Sequence, residues 1–91
     1  MMQGNLKIAD PTLAEVSFLR SELQVGFTLT RIALESTRRE TTARNRANAR
    51  KAYDAILRFF PKVKLSADET DEIKSLLEQL KSKLRRLGEE I

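Results

Sequence analysis

The sequence predicts an all-α fold, a three-helix antiparallel bundle. Three observations predict it: a composition dominated by helix formers, a scarcity of chain-turning residues, and apolar residues that recur every three or four positions. Ala, Glu, Lys, Leu and Arg together supply 48 of the 91 residues, the balance of long helices rather than of sheets. Only three glycines and two prolines are present, so the chain has few places to turn sharply and its elements should be few and long. A chain of this length carries one hydrophobic core, which makes residues 1–91 one helical domain, with 1–9 and 89–91 expected to be loosely held.

The first helix is placed at 11–36. Asp10 can cap the free amides of a helix start, and Pro11 has the backbone angle of a first helical position. From there Val16, Leu19, Leu23, Phe27 and Leu34 fall on one stripe when stepped at about 100° per residue.

The second helix is placed at 42–60. It must end before Pro61, which lacks an amide hydrogen and disfavours helical geometry at its predecessor. Its apolar face reads Ala49, Ala52, Tyr53, Ile56, Phe59 and Phe60. Its start is weakly marked: the stretch from Ser36 to Thr42 holds neither Gly nor Pro, and Thr37 with Glu40 offers a capping box as the only stop-and-start signal. The stripe stays in phase through Thr37, Thr41, Asn45 and Asn48, so the alternative architecture is one long bent helix over 11–60 followed by a C-terminal hairpin helix, and dimeric.

The third helix is placed at 66–87. Ser66-Ala67-Asp68-Glu69 has the spacing of a capping box, acids crowd the first turn, Lys and Arg fill the last turns, and Gly88 follows as a stop. Ile73, Leu76, Leu77, Leu80, Leu84 and Leu87 form its seam, spaced as in packed bundle helices. Pro61–Leu65 is then a short connection that folds helix three back on helix two as a hairpin, with helix one laid across the pair.

Composition also bears on function. The chain has no Cys and no His, which removes thiolate nucleophiles, imidazole bases and the usual ligands of zinc, copper and haem. Its glycines stand at 4, 26 and 88, too far apart for a phosphate cradle, and no Gly-x-Ser-x-Gly elbow occurs. The acids Asp68, Glu69, Asp71 and Glu72 are read as helix-start charges opposing the dipole, because the glycine turn and alternating ligands of a calcium loop are missing. The expectation is therefore a protein that is not an enzyme and takes no metal, cofactor or small-molecule substrate. No apolar run approaches the roughly 20 residues that cross a bilayer, and the first residues lack the apolar stretch of a signal peptide, which leads to the expectation of a soluble, cytoplasmic chain with no membrane partner.

Two features are left over as candidate binding surfaces. The first is a second apolar stripe on helix one: Phe18, Val25, Leu29 and Ile32 lie about 150° around from the main stripe, with the small residues Gly26 and Ala33 between. A helix packed against one side of a core has no use for both stripes. These six residues are therefore predicted to bind a protein, most simply a second copy in a homodimer, with Gly26 and Ala33 marking a close helix crossing. The second feature is charge. Residues 38–64 carry nine cations against Glu40 and Asp54 alone. Arg38, Arg39, Arg44, Arg46, Arg50 and Lys51 form the alternative site, for sequence-independent contact with nucleic acid phosphates. Three considerations weigh against it: the cations of helix two spread over its whole outer arc instead of forming one stripe, as on an ordinary solvated face; the acids of helix three can neutralise part of the block; and Tyr53, Phe59 and Phe60 sit on the apolar stripe, as core rather than as base-stacking platforms.

Overall fold

A computed structural model describes residues 11–91, and these form three α-helices: α1 (Pro11–Glu35), α2 (Arg39–Phe59) and α3 (Ala67–Arg86), with a short 3-10 turn at Phe60–Lys62 between the last two. No strand occurs among the described residues. The Asp10 cap and the expectation for residues 1–9 lie outside them.

The separation of α1 from α2 excludes the fused-helix alternative. Ser36, Thr37 and Arg38 leave the helical path, and Arg38 is extended at φ −98, ψ 122. The capping box expected from Thr37 and Glu40 is not formed. Instead the Ser36 hydroxyl accepts from the Arg38 amide at 3.0 Å, and the Arg38 carbonyl accepts the first helical bond of α2 from the Thr42 amide at 3.0 Å. A serine side chain that bonds the backbone two residues on offers the chain an alternative to another helical turn, so a break forms with no Gly or Pro present. The second helix thus begins three residues earlier than the expected position 42.

The three-residue connection makes α1 and α2 antiparallel. Phe18, near the start of α1, meets Phe59 at the end of α2, and the Thr42 hydroxyl at the other end donates to the Ala33 carbonyl at 3.4 Å. The α1–α2 pair is the most extensively packed, rather than the α2–α3 hairpin expected from the sequence. Small residues account for the closeness, since Ala33 on one helix and Ala49 and Ala52 on the other are all buried. Helix α3 lies over both, parallel to α1: Glu72 pairs with Arg20, and Leu80 lies against Gly26.

The ends of α3 form as their residues dictate. Ser66 and Glu69 make a reciprocal capping box, at 3.1 Å and 2.9 Å. At the far end the Gly88 amide donates to the Arg85 carbonyl and the Glu89 amide to the Leu84 carbonyl, with Gly88 at φ 102, which together make a Schellman motif.

The core comprises Leu19, Leu23, Ala49, Tyr53, Ile56, Ile73, Leu77, Leu80 and Leu84, so each helix contributes the face assigned to it. Three placements differ from expectation. Phe59 is 38% exposed rather than core. Thr30 is fully buried, its hydroxyl donating to the Phe27 carbonyl at 3.1 Å one turn back. Residues 89–91 are anchored rather than loose, for Glu89 accepts from Arg46 and Arg50 and Ile91 packs against the core.

Candidate functional site

The six α1 residues expected to bind a partner divide into two groups. Gly26 and Ala33 are buried inside the bundle. A Cβ at Gly26 would stand 2.8 Å from Leu80 Cδ2, so the close crossing marked by this glycine is made with α3 of the same chain. The prediction that the two small residues face a second chain is corrected on this point. Leu29 and Ile32 are half-buried, with Leu29 packed on the core, while Phe18 and Val25 are 40% and 45% exposed.

The exposed members lie on the flank of the α1–α2 pair that faces away from α3. Phe18 marks its position: its ring meets Phe59 edge-to-face, with centroids 5.5 Å apart, and Phe59 in turn carries the Lys62 ammonium 5.6 Å from its centroid. Edge-to-face pairing places the positive ring edge on a negative ring face, and the same negative face attracts the ammonium. Around this pair is a depression of about 500 Å³, predominantly apolar, lined by Ala14, Glu15, Phe18, Phe59, Lys62 and Val63. A second depression of about 480 Å³ continues along α1 between Ser21, Gln24, Val25, Thr28 and Leu29. Phe59 belongs to this surface, and sequence periodicity assigned it to the core because the apolar stripe of α2 does not distinguish its α3-facing edge from its outer edge.

The basic segment also divides. Arg46 and Arg50 both donate to the Glu89 carboxylate, and Arg50 additionally holds Asp54 at 3.0 Å. The two guanidinium groups keep the Glu89 carboxyl below its usual range, and the bonds to Asp54 and then Glu89 raise the already high pKa of Arg50. These two cations therefore serve the fold. Arg38, Arg39, Arg44 and Lys51 are exposed and make no ion pair among the described residues. Tyr53 is buried, which raises its pKa chiefly by desolvation, and so it offers no platform to a base. The proposed phosphate-binding face is thus four cations rather than six.

On the opposite side, α1 and α3 enclose a wider crevice of about 680 Å³, in which Phe27 and Leu34 form the apolar wall and Arg31, Lys83 and Arg86 the charged one. Further along the same seam Arg20 clamps Glu72 with two bonds of 2.9 Å, which lowers the pKa of Glu72 through the hydrogen bonds and then the charge of Arg20. Among the described residues no group of three His, Cys, Asp or Glu could hold a metal ion, and no helix is long and apolar enough to cross a membrane. No family model matches the chain, and neither a curated protein nor a solved structure matches it.

Proposed function

We propose that this chain is a non-catalytic helical interaction module that engages another protein chain through the outer flank of α1 and α2. The observation that carries the reading is the exposure of Phe18, Val25 and Phe59 on the outer flank of the α1–α2 pair, where Phe18 and Phe59 touch across the two helices; Leu13 and Leu57 are exposed elsewhere on the same helices. Fully burying such a side chain is worth roughly 1.5–3 kcal/mol, so a flank of this kind left in water forgoes stabilisation that a partner surface would recover. A second copy of the chain and a helix of a different protein are the two candidate occupants of the flank.

Site-specific photo-crosslinking tests this. A photoreactive phenylalanine analogue at position 25 should give a discrete covalent adduct in cells expressing the chain, and the same group at the exposed Ser82 of α3 should not. Adducts of equal yield at both positions, or at neither, would overturn the reading. An adduct of twice the chain mass would identify the homodimer.

A second reading, sequence-independent binding of nucleic acid, is favoured by the exposure of Arg38, Arg39, Arg44 and Lys51. Binding of duplex or single-stranded fragments that weakens steeply with rising salt supports it, and the absence of binding at about 50 mM salt removes it.

A further inference from the structure

The unpaired cations bordering the apolar flank stand on its α2 side. Beyond the exposed Phe59 and the half-buried Ala55, the outer edge of α2 carries Arg44, Lys51 and Arg58, all exposed and separated by seven residues each. That spacing keeps three side chains in a row on one helix face. They stand away from α3, because the α3-facing side of α2 is the one marked by buried Tyr53 and by Arg46 and Arg50 on Glu89. None of the three makes an ion pair among the described residues, and Lys62 continues the edge beside Phe59.

The opposite edge of the flank, on α1, is uncharged. It consists of Ala14, Ser17, Ser21, Gln24 and Thr28, all exposed. The acids of α1 nearest the flank, Glu15 and Glu22, lie on its inner side toward α2, where Glu15 lines the depression with Lys62. The surface therefore has a largely apolar floor with Glu15 beside Lys62 at one end, one cationic edge on α2 and one uncharged edge on α1. Its two depressions run from Ala14 to Leu29, sixteen positions or about 24 Å at the helical rise, which is the length of four to five turns of a docked helix.

We infer that the occupant of this flank is an acidic amphipathic helix of a different protein. The inference rests on the interaction reading above and specifies the partner. A helix laid on the floor formed by Phe18, Val25 and Phe59 would place Glu or Asp on its own edge against Arg44, Lys51 and Arg58, and small or polar residues against Ser21 and Thr28. A second copy is the poorer occupant. Packing α2 against α2 of a partner copy sets the two cationic rows side by side, and the chain carries a net charge of +4 in any case. Charge also separates the acidic helix from nucleic acid: a phosphate backbone would satisfy the cationic edge and leave the apolar floor uncovered.

The test uses the full chain and two synthetic helical peptides of about 21 residues. Both carry Leu at seam positions; one has Glu and the other Lys on the edge that meets α2. Fluorescence anisotropy should give binding of the Glu-edged peptide at least tenfold tighter than of the Lys-edged one. Val25→Glu and the triple variant Arg44→Gln, Lys51→Gln, Arg58→Gln should each weaken binding of the Glu-edged peptide at least fivefold. Both variants change exposed residues, and each is first checked by circular dichroism to have the helicity of the parent.

The outcomes separate the two levels of the argument. Equal affinity for the two peptides, both lost in Val25→Glu, would overturn the acidic-helix inference while leaving the flank an apolar docking surface. A dimer in light scattering at tens of micromolar that Val25→Glu dissociates would likewise replace the acidic partner by a second copy. Peptide binding indifferent to Val25→Glu, or duplex DNA bound more tightly than the Glu-edged peptide and weakened by the triple variant alone, would overturn both the inference and the interaction reading beneath it.

Discussion

Gly26 and Leu80 form the contact on which the packing of α3 over α1 depends, and a double-mutant cycle measures it. Leu80 is fully buried, so Leu80→Ala removes most of a core side chain and should cost about 2–5 kcal/mol through lost burial and the residual cavity. Gly26→Ala has two opposed effects. Alanine in a helix interior is better than glycine by about 1 kcal/mol, but its methyl would lie 2.8 Å from Leu80 Cδ2 and 3.2 Å from Cδ1. Leu80 is enclosed by the core and cannot swing aside freely, so the overpacking costs about 1–3 kcal/mol and Gly26→Ala should be neutral or destabilising by up to about 2 kcal/mol. In the Leu80→Ala background the clash is gone. There the same substitution gains its helix propensity and part-fills the cavity, and should stabilise by about 1–2 kcal/mol. The expected result is thus a neutral or destabilising effect that becomes stabilising across the cycle, with a coupling of about 1–4 kcal/mol. Urea denaturation followed by circular dichroism gives the four stabilities. If Gly26→Ala has the same effect in both backgrounds to within about 0.5 kcal/mol, Gly26 does not seat Leu80 and the intrachain crossing is misplaced.

Three further outcomes are expected. Ser66→Ala should cost about 1 kcal/mol by removing the hydroxyl that caps the Glu69 amide, and an unchanged melting temperature would place the start of α3 elsewhere. Gly88→Ala should cost about 1–2 kcal/mol, because a side chain at φ 102 is strained and its Cβ would stand 3.1 Å from Arg46 Nη1; a stability equal to the parent would mean that the Schellman turn is not held. Glu89→Gln should lower the melting temperature at pH 7, by an amount that shrinks as the pH falls below the unfolded value of about 4.3. The folded pKa of Glu89 lies below its unfolded value of about 4.3, so its contribution is present in full above that value and is lost as pH falls through the folded pKa. A difference between parent and variant that does not shrink on acidification would show that the bonds from Arg46 and Arg50 contribute nothing as charged interactions.

What the sequence revealed differs from element to element, for physical reasons. Helix α3 was fully legible because both of its ends are written locally: Ser66 and Glu69 three residues apart, Gly88 where the helix must stop, and Ile73, Leu77, Leu80 and Leu84 between them. The break between α1 and α2 was only half legible. Ser36 makes it through its own side chain, and serine is too common within helices for this to be read in advance. The neutralisation of Arg46 and Arg50 was hidden for a different reason, since their partner Glu89 is 43 and 39 positions away, in a segment with no local signal for order. Periodicity likewise assigned Gly26 to a crossing correctly but could not name the neighbour, and the neighbour is Leu80 of the same chain.

The same distinction explains why the flank stands out after folding rather than before. A helix in a three-helix bundle has two neighbours, and α1 meets α2 and α3 with Val16, Leu19, Leu23, Gly26, Thr30 and Ala33. Those residues occupy a little over 100° of its circumference, the arc expected for a helix on one side of a core. From sequence α1 carried two apolar stripes about 150° apart, and nothing local showed which neighbour each one meets. With both neighbours in place, Leu29 and Ile32 are half-buried, while Phe18, which meets Phe59, and Val25 remain 40% and 45% exposed. Folding uses the main stripe and leaves these two partly uncovered. An apolar pair seven residues apart, beside a row of seven-spaced cations, is the pattern on which the proposed docking of a partner helix rests.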